Sequence, residues 1–324
     1  MRIAWFVLFI YSITAHANYH MATPYSERVY ITQNVKAFIN DINQKTDINV
    51  VFHPAESLYK HNEIYRAVRT NQIQFGEIFI GQLSNHSAIF QLDNLPFIAT
   101  SFDQAKQLWQ YQQTALRQAL AKDGLQLLFV NPWPPQGLFT DKQINTGADL
   151  QGLKIRSYSA ITAQLASHLN MIPIALSSGE IAQAFATGMV NAMITSPATG
   201  VSSRAWQFSQ YYMPINAWIP KNMIVMNQNA YLALSAKDKT MLKTLIQKHQ
   251  ALAWQKAQTE TTKVTNILEQ KGMIIAPINK VLHGTFSKVG DAMSSNWKKI
   301  ASTEEVSALS KFKEQLRDSK NKPL

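Results

Sequence analysis

Residues 149–158 read D-L-Q-G-L-K-I-R-S-Y, and residues 177–197 read S-S-G-E-I-A-Q-A-F-A-T-G-M-V-N-A-M-I-T-S-P. Together with the residues between them they spell strand, helix, strand, helix, strand. Leu153-Lys154-Ile155 is a short strand that ends at Arg156, and 161–169 carries apolar residues at helical spacing. Ile172 to Ala175 is the next strand. Ser177 and Glu180 then form an S-x-x-E capping box, Ile181, Ala184 and Phe185 give a buried stripe, and Gly188 suits the stop after the helix. A third strand, 189–194, ends at Thr195-Ser196. In open α/β sheets ligands bind beyond the carboxyl ends of the strands, which places Arg156 and Thr195 toward one pocket. A guanidinium there can hold a carboxylate through two parallel N–H bonds. An arginine at a strand end is also commonly a solvated or salt-bridged surface residue, so on residues alone both readings stand.

The same alternation runs through the first half. Strands are expected at 19–23, 49–53, 74–80 and 125–130, with helices at 29–46, 62–70 and 102–122 and a turn at Leu95-Pro96-Phe97. Strands and helices of these lengths imply mainly parallel sheets flanked by helices. Pro132, Pro134 and Pro135 break the pattern and mark a crossing between lobes. Farther on, 223–226 is a strand. From Ser235 to Lys271 there is neither glycine nor proline, and Leu242, Leu245, Leu252 and Trp254 keep an apolar stripe. At 1.5 Å per residue that helix reaches roughly 55 Å, long enough to run across both lobes.

The chain has 324 residues, 46% of them hydrophobic and 16% charged, enough for two packed domains. There is no cysteine, which excludes disulfides and thiolate metal sites. Met1-Arg2, the apolar run 3–13 and Ala15-His16-Ala17 read as a signal peptide cleaved before Asn18, with a soluble exported protein following. That run is too short for a membrane span of about 20 residues. The formal charge of +11 includes Arg2 and is scattered, with no basic helix interleaved with aromatics, so nucleic acid is not an expected partner. No nucleophile elbow, phosphate loop, dinucleotide fingerprint or H-E-x-x-H motif is present, and the eight histidines show no metal-ligand spacing. The reading is therefore no catalytic residue, no metal and no cofactor. Trp206, Tyr211, Tyr212 and Trp218 fall in the connection after the Arg156 block, where aromatic rings would wall a pocket for an organic anion. Trp218 is the one best placed for function.

Six stretches carry a family resemblance: 57–77 (S-L-Y-K-H-N-E-I-Y-R-A-V-R-T-N-Q-I-Q-F-G-E), L-P-F-I-A (95–99), W-P-P-Q-G-L (133–138), A-D-L-Q-G-L-K-I-R (148–156), E-I-A-Q-A-F-A-T-G-M-V-N-A-M (180–193) and W-I-P-K-N (218–222). In this order the chain resembles the periplasmic solute-binding subunits of tripartite ATP-independent periplasmic (TRAP) transporters, of the DctP type. The resemblance implies a two-lobed α/β flytrap with hinge strands and a long lobe-spanning helix, closing on a ligand without chemistry. The lobes are expected at 18–131 plus about 222–252, and at 132–221 plus about 253–324, after the signal peptide at 1–17. It further implies that Arg156 pairs with the ligand carboxylate and that Glu77 faces the cleft from the first lobe. Where the family has V-D-G-x-E-N-P this chain reads V-N-A-M-I-T-S-P, which puts Thr195 in the asparagine's place. A second arginine of some members is Gln136 here, which points to a monocarboxylate or a small organic acid with an apolar part, walled by Trp218. Ser159 and Ser178 complete the candidate ligand-binding residues. The implied partners are a small organic acid and the small and large TRAP membrane subunits, in the periplasm. A binding protein of an ABC importer, a ligand-delivering sensor subunit for a receptor kinase and an exported enzyme are the competing classes.

Overall fold

Hydrophobic runs that fill both faces of a sheet are what a strand between two helix layers needs, and the first half of the chain supplies them. In the computed structural model, which describes residues 18–321, the chain order begins β1 (Tyr19–Ala22), α1 (Tyr30–Lys45), β2 (Val50–His53), α2 (His61–Arg69), β3 (Phe75–Phe79), α3 (Phe102–Lys122) and β4 (Leu125–Pro132). The signal peptide expected at 1–17 lies outside the described residues. The second unit contains β5 (Gly137–Thr140), β6 (Lys154–Ser157), α4 (Ala160–His168), β7 (Ile172–Ala175), α5 (Ile181–Ala186), β8 (Ala192–Thr195), α6 (Pro197–Ser202) and β9 (Tyr211–Met213). The chain then returns through β10 (Lys221–Asn227), α7 (Gln228–Ala233), α8 (Ala236–Gln270), β11 (Ile274–Ile275), α9 (Lys280–Ile300) and α10 (Thr303–Asn321).

The first sheet has the order β2-β1-β3-β10-β4. Strands β2, β1 and β3 are parallel, and β10 is antiparallel to β3 and β4 because it enters from the other lobe. Phe75, Phe129, Ile224 and Met226 pack one face against α1 and α8, while Ile78, Val130, Met223 and Val225 pack the other with residues of α2 and α3. The second sheet has the order β11-β9-β5-β8-β6-β7. Its block β8-β6-β7 is parallel, as expected, whereas β5 runs antiparallel to β8 and β9. Mixed sheets therefore arise where the chain crosses between lobes. Strands β5 and β9 were not anticipated: one follows a run of prolines, the other is three residues long, and each takes its strand character from its partners.

Helix α8 is unbroken over 35 residues and starts at a Ser235 cap whose side chain accepts from Asp238 N. Leu242 and Leu245 lie in the first core, Ala257 meets Trp133 at the crossing, and Leu268 packs with Phe139 and Met193 of the second sheet. The C-terminal segment departs from the expected boundary. Helix α9 gives Leu282, Phe286 and Met293 to the second core but Trp297 to the first, where Trp297 Nε1 donates to Ala88 O at 2.8 Å. Helix α10 then packs on α3 through Leu309 and Phe312, so 303–321 joins the first lobe rather than the second. Val306, Leu309, Phe312 and Leu316 sit three and four apart, an apolar stripe that the charges of the tail obscure.

Candidate ligand-binding cleft

Arg156 sits near the end of β6, between Met193 of β8 and Ile174 of β7. Ser157 closes the strand, and Ser159 caps α4 by accepting from Thr162 N at 3.2 Å. The turn aims the guanidinium into the space between the sheets. Its exposure is 5%, its Nε donates to Leu176 O at 3.1 Å, and its carbon lies 5.0 Å from the centre of the Tyr158 ring. The two terminal nitrogens make no hydrogen bond and no ion pair among the described residues. Burial pulls its pKa down to about 10, against the pull of Tyr158, Tyr25 and Glu180. A buried cation with no carboxylate in direct contact is costly, and an anion arriving at those two nitrogens relieves that cost.

The facing wall comes from the first sheet. Phe79, the last residue of β3, meets Tyr158 edge to face at 5.7 Å across the cleft. Tyr25, just past β1, packs edge-on against Trp133 at 5.2 Å and His61 at 5.7 Å. Beneath it Glu77 is fully buried. Thr23 Oγ1 donates to Glu77 Oε2 at 2.5 Å and Asn222 Nδ2 donates to Glu77 Oε1 at 2.9 Å, while Trp133 Nε1 donates to Asn222 Oδ1 at 2.9 Å. Glu77 thus ties together the ends of β1 and β3, the start of β10 and the crossing at Trp133. Both its oxygens are taken from within the first lobe, so it supports the cleft wall instead of lining it. Burial pushes its carboxyl up to about 7, opposed by the bonds from Thr23, Asn222 and Asn131.

The remaining expected residues divide. Thr195 ends β8 opposite Gly137, is 3% exposed and makes no side-chain hydrogen bond among the described residues. Trp218 is buried beside Tyr158, with its indole N–H at the Tyr158 hydroxyl. Gln136 is buried and committed: Tyr158 Oη donates to its Oε1 at 2.9 Å and its Nε2 donates to Pro134 O at 2.9 Å. It braces Tyr158. Ser159 is occupied as a cap, and Ser178 is exposed at the rim, two residues past the carbonyl that Arg156 bonds. Three aromatics leave the expected pocket. Tyr212 packs on Phe139 at 4.6 Å in a core, Trp206 lies half-buried beside that core with Lys271 over its ring, and Tyr211 lies on the second core from β9.

Sequence reasoning missed Tyr25, Phe79 and Tyr158. Tyr158 had a signal, since it stands two residues beyond Arg156 and so shares its side of the extended chain. Among the described residues no helix is long and apolar enough to cross a membrane, and no three His, Asp or Glu side chains are grouped to hold a metal.

A family model described as bacterial extracellular solute-binding protein, family 7 (DctP) matches residues 21–304. No curated protein matches the chain. Among solved structures, DctP7 of Bordetella pertussis, an extracytoplasmic solute receptor binding pyroglutamic acid, is 32% identical with a TM-score of 0.89, over 92% of this chain and 99% of that one. DctP6 of the same organism, also binding pyroglutamic acid, is 30% identical with a TM-score of 0.89, over 92% and 100%. A TRAP solute-binding protein specific for pyroglutamate from a marine metagenome is 29% identical with a TM-score of 0.88, over 92% and 99%.

Proposed function

The chain belongs to the DctP family of bacterial extracellular solute-binding proteins, and from that we propose that its ligand is pyroglutamate or a monocarboxylate of that size, anchored by Arg156. The protein is a carboxylate-binding subunit of a TRAP transporter, in a family of receptors rather than enzymes. The observation that carries the ligand assignment is the buried Arg156 guanidinium with both terminal nitrogens uncommitted. Those nitrogens take the two oxygens of the carboxylate in the fork geometry that arginine favours. Thr195 Oγ1 donates one further bond, and Tyr158, Tyr25 and Phe79 enclose the apolar part of the ligand. Glu77 acts one step back, holding Thr23 and Asn222 so that the first-lobe wall keeps its shape.

Binding without turnover is what membership of this receptor family implies, with Arg156 as the carboxylate anchor. The closed, loaded form is what the small and large membrane subunits receive, in the periplasm, after cleavage of the leader before Asn18. The test is calorimetry on the chain from Asn18 with pyroglutamate, beside the Arg156→Ala variant. Loss of a hydrogen-bonded charge pair of about 1.5–3 kcal/mol lowers affinity roughly ten- to 150-fold. A variant that keeps full affinity would sink Arg156 as the anchor, and product formed from the acid would move the chain toward an enzyme.

A further inference from the structure

At one edge of the first sheet β2 pairs with β1 alone, in a register that sets Tyr19 beside Val50 and Ala22 beside His53. Paired residues of parallel strands share a face, and so do residues two apart along a strand, which gathers Asn18, His20 and Ala22 with Asn49, Val51 and His53. At one end of this strip Asn49 Nδ2 donates to Asn18 Oδ1 at 2.7 Å. Farther along, His20 Nδ1 and His53 Nε2 lie 2.9 Å apart, with ring centres separated by 5.1 Å and planes inclined by 32°. Both rings are half-buried, and Val51 between them in sequence is exposed.

The Arg156 cleft makes no use of this pair. One proton lies between the two facing nitrogens, so one ring donates and the other accepts. Among the described residues no carboxylate, lysine or arginine bonds to either ring. Burial, with His20 beside it, pulls the His53 pKa down, so that ring is uncharged near neutral pH, the state in which imidazole binds a metal. Two nitrogens about 2.0 Å from one ion lie about 2.8 Å apart at a right angle and about 3.3 Å apart at a tetrahedral one, and 2.9 Å falls within that interval. The nitrogens point at each other, so each ring has to turn for its lone pair to reach a common ion. Half-buried rings on an outer pair of strands have the solvent side open for that turn.

We propose that His20 and His53 form a two-imidazole chelate for a borderline divalent cation of the zinc class, which clamps β1 to β2 while water fills the remaining positions of the ion. A neutral, all-nitrogen donor set suits zinc, nickel or copper and not magnesium or calcium, which take oxygen ligands. On binding, the proton between the rings moves to the outer nitrogen of the ring that carried it, Nε2 of His20 or Nδ1 of His53. Both facing lone pairs then go to the metal, and no proton is lost to solvent. The clamp lies where the strands lead into the cleft wall: Thr23 N donates to His53 O at 3.0 Å, and Ala55 N donates to Tyr25 O at 3.0 Å. It shares no residue with the carboxylate anchor and does not depend on which acid is bound.

The experiment is calorimetry with zinc chloride on the chain from Asn18, beside His20→Gln and His53→Gln, with magnesium chloride as the oxygen-seeking control. His20 is the third residue of that chain, and copper or nickel is held by such a terminus without His53; zinc leaves the amide protons in place and is therefore the probe. One zinc per chain is expected, with binding at least ten-fold weaker in each variant and none of magnesium. Zinc is also expected to raise the melting temperature of the unaltered chain and not of the variants. A melt without metal checks that the variants fold. If either does not, the zinc-induced shifts of the histidine ring signals in the magnetic resonance spectrum of the unaltered chain decide, and they are expected at His20 and His53. No zinc binding, equal zinc binding by His53→Gln, or shifts centred on other histidines overturns the site and leaves the Arg156 reading untouched.

Discussion

A carboxyl group sealed from water with no cation beside it keeps its proton to a higher pH, and Glu77 is such a group. Burial raises it from 4.5 to about 7, outweighing the bonds from Thr23, Asn222 and Asn131. Between those two values the folded chain holds a proton that the unfolded chain has released. Stability from this group is therefore fully present below about 4.5 and is lost as pH climbs through about 7. The loss is on the order of 3 kcal/mol. Glu77→Gln is expected to flatten that part of the profile, and urea unfolding at pH 5 and pH 8 checks it; an unchanged slope in the variant would mean that Glu77 already ionises freely. The Asp93–Lys221 pair behaves differently. Burial pushes Asp93 up and Lys221 down, and each is held back by the other. Lys221→Met strands a buried carboxylate and is expected to cost about 3–5 kcal/mol in denaturant unfolding, while adding Asp93→Leu recovers much of it. If the double variant is no better than the single one, the pair is not the source of the loss. The placement of Arg156 near a strand end was legible in the sequence because strand position is a local property, whereas its pairing with a ligand carboxylate was implied only by the family resemblance. That Glu77 supports the wall from behind was not legible, because the groups that bury it include Asn222, 145 residues away in sequence.

Elements with strong local signals came through with little change. The helix expected at 102–122 has those bounds, and Ser177 and Glu180 form the expected capping box with Gly188 in the left-handed region after α5, at φ 67°. Strands β5 and β9 stayed hidden because their pairing is with segments far along the chain, and α10 because its apolar stripe is diluted by charge. Helix α9 also carries a constraint that no local pattern announces. At Gly290 a Cβ would lie 2.7 Å from the backbone oxygen of Pro96 and 3.1 Å from the Phe97 ring. The helix therefore rests directly on the turn at 95–97, whose Phe97 N bonds Ala217. Gly290→Ala has to push helix and turn apart, since a backbone oxygen cannot rotate away. The expected cost is about 1–3 kcal/mol, read as a lower melting temperature. An unshifted melt would mean that α9 has room to slide on that turn.

Two lobes joined by the crossings at 132–137 and 213–221 and by α8 have few ways to move other than a hinge. The groups proposed to hold a ligand are split between them: Arg156, Tyr158 and Thr195 lie in or next to the second sheet, Tyr25 and Phe79 in the first lobe. A ligand that touches both sides is bound more strongly by the closed arrangement than by the open one, and only that difference in free energy can drive closure. At a concentration of 100 times its Kd such a ligand adds about 2.7 kcal/mol to stability. For a chain of this size that is expected to raise the melting temperature by roughly 5 °C. Closure itself is a change of shape, so small-angle scattering should show a smaller radius of gyration with pyroglutamate than without it. The two readouts separate the possible failures. A thermal shift without compaction would mean that the ligand is held by one lobe alone and that binding does not drive closure.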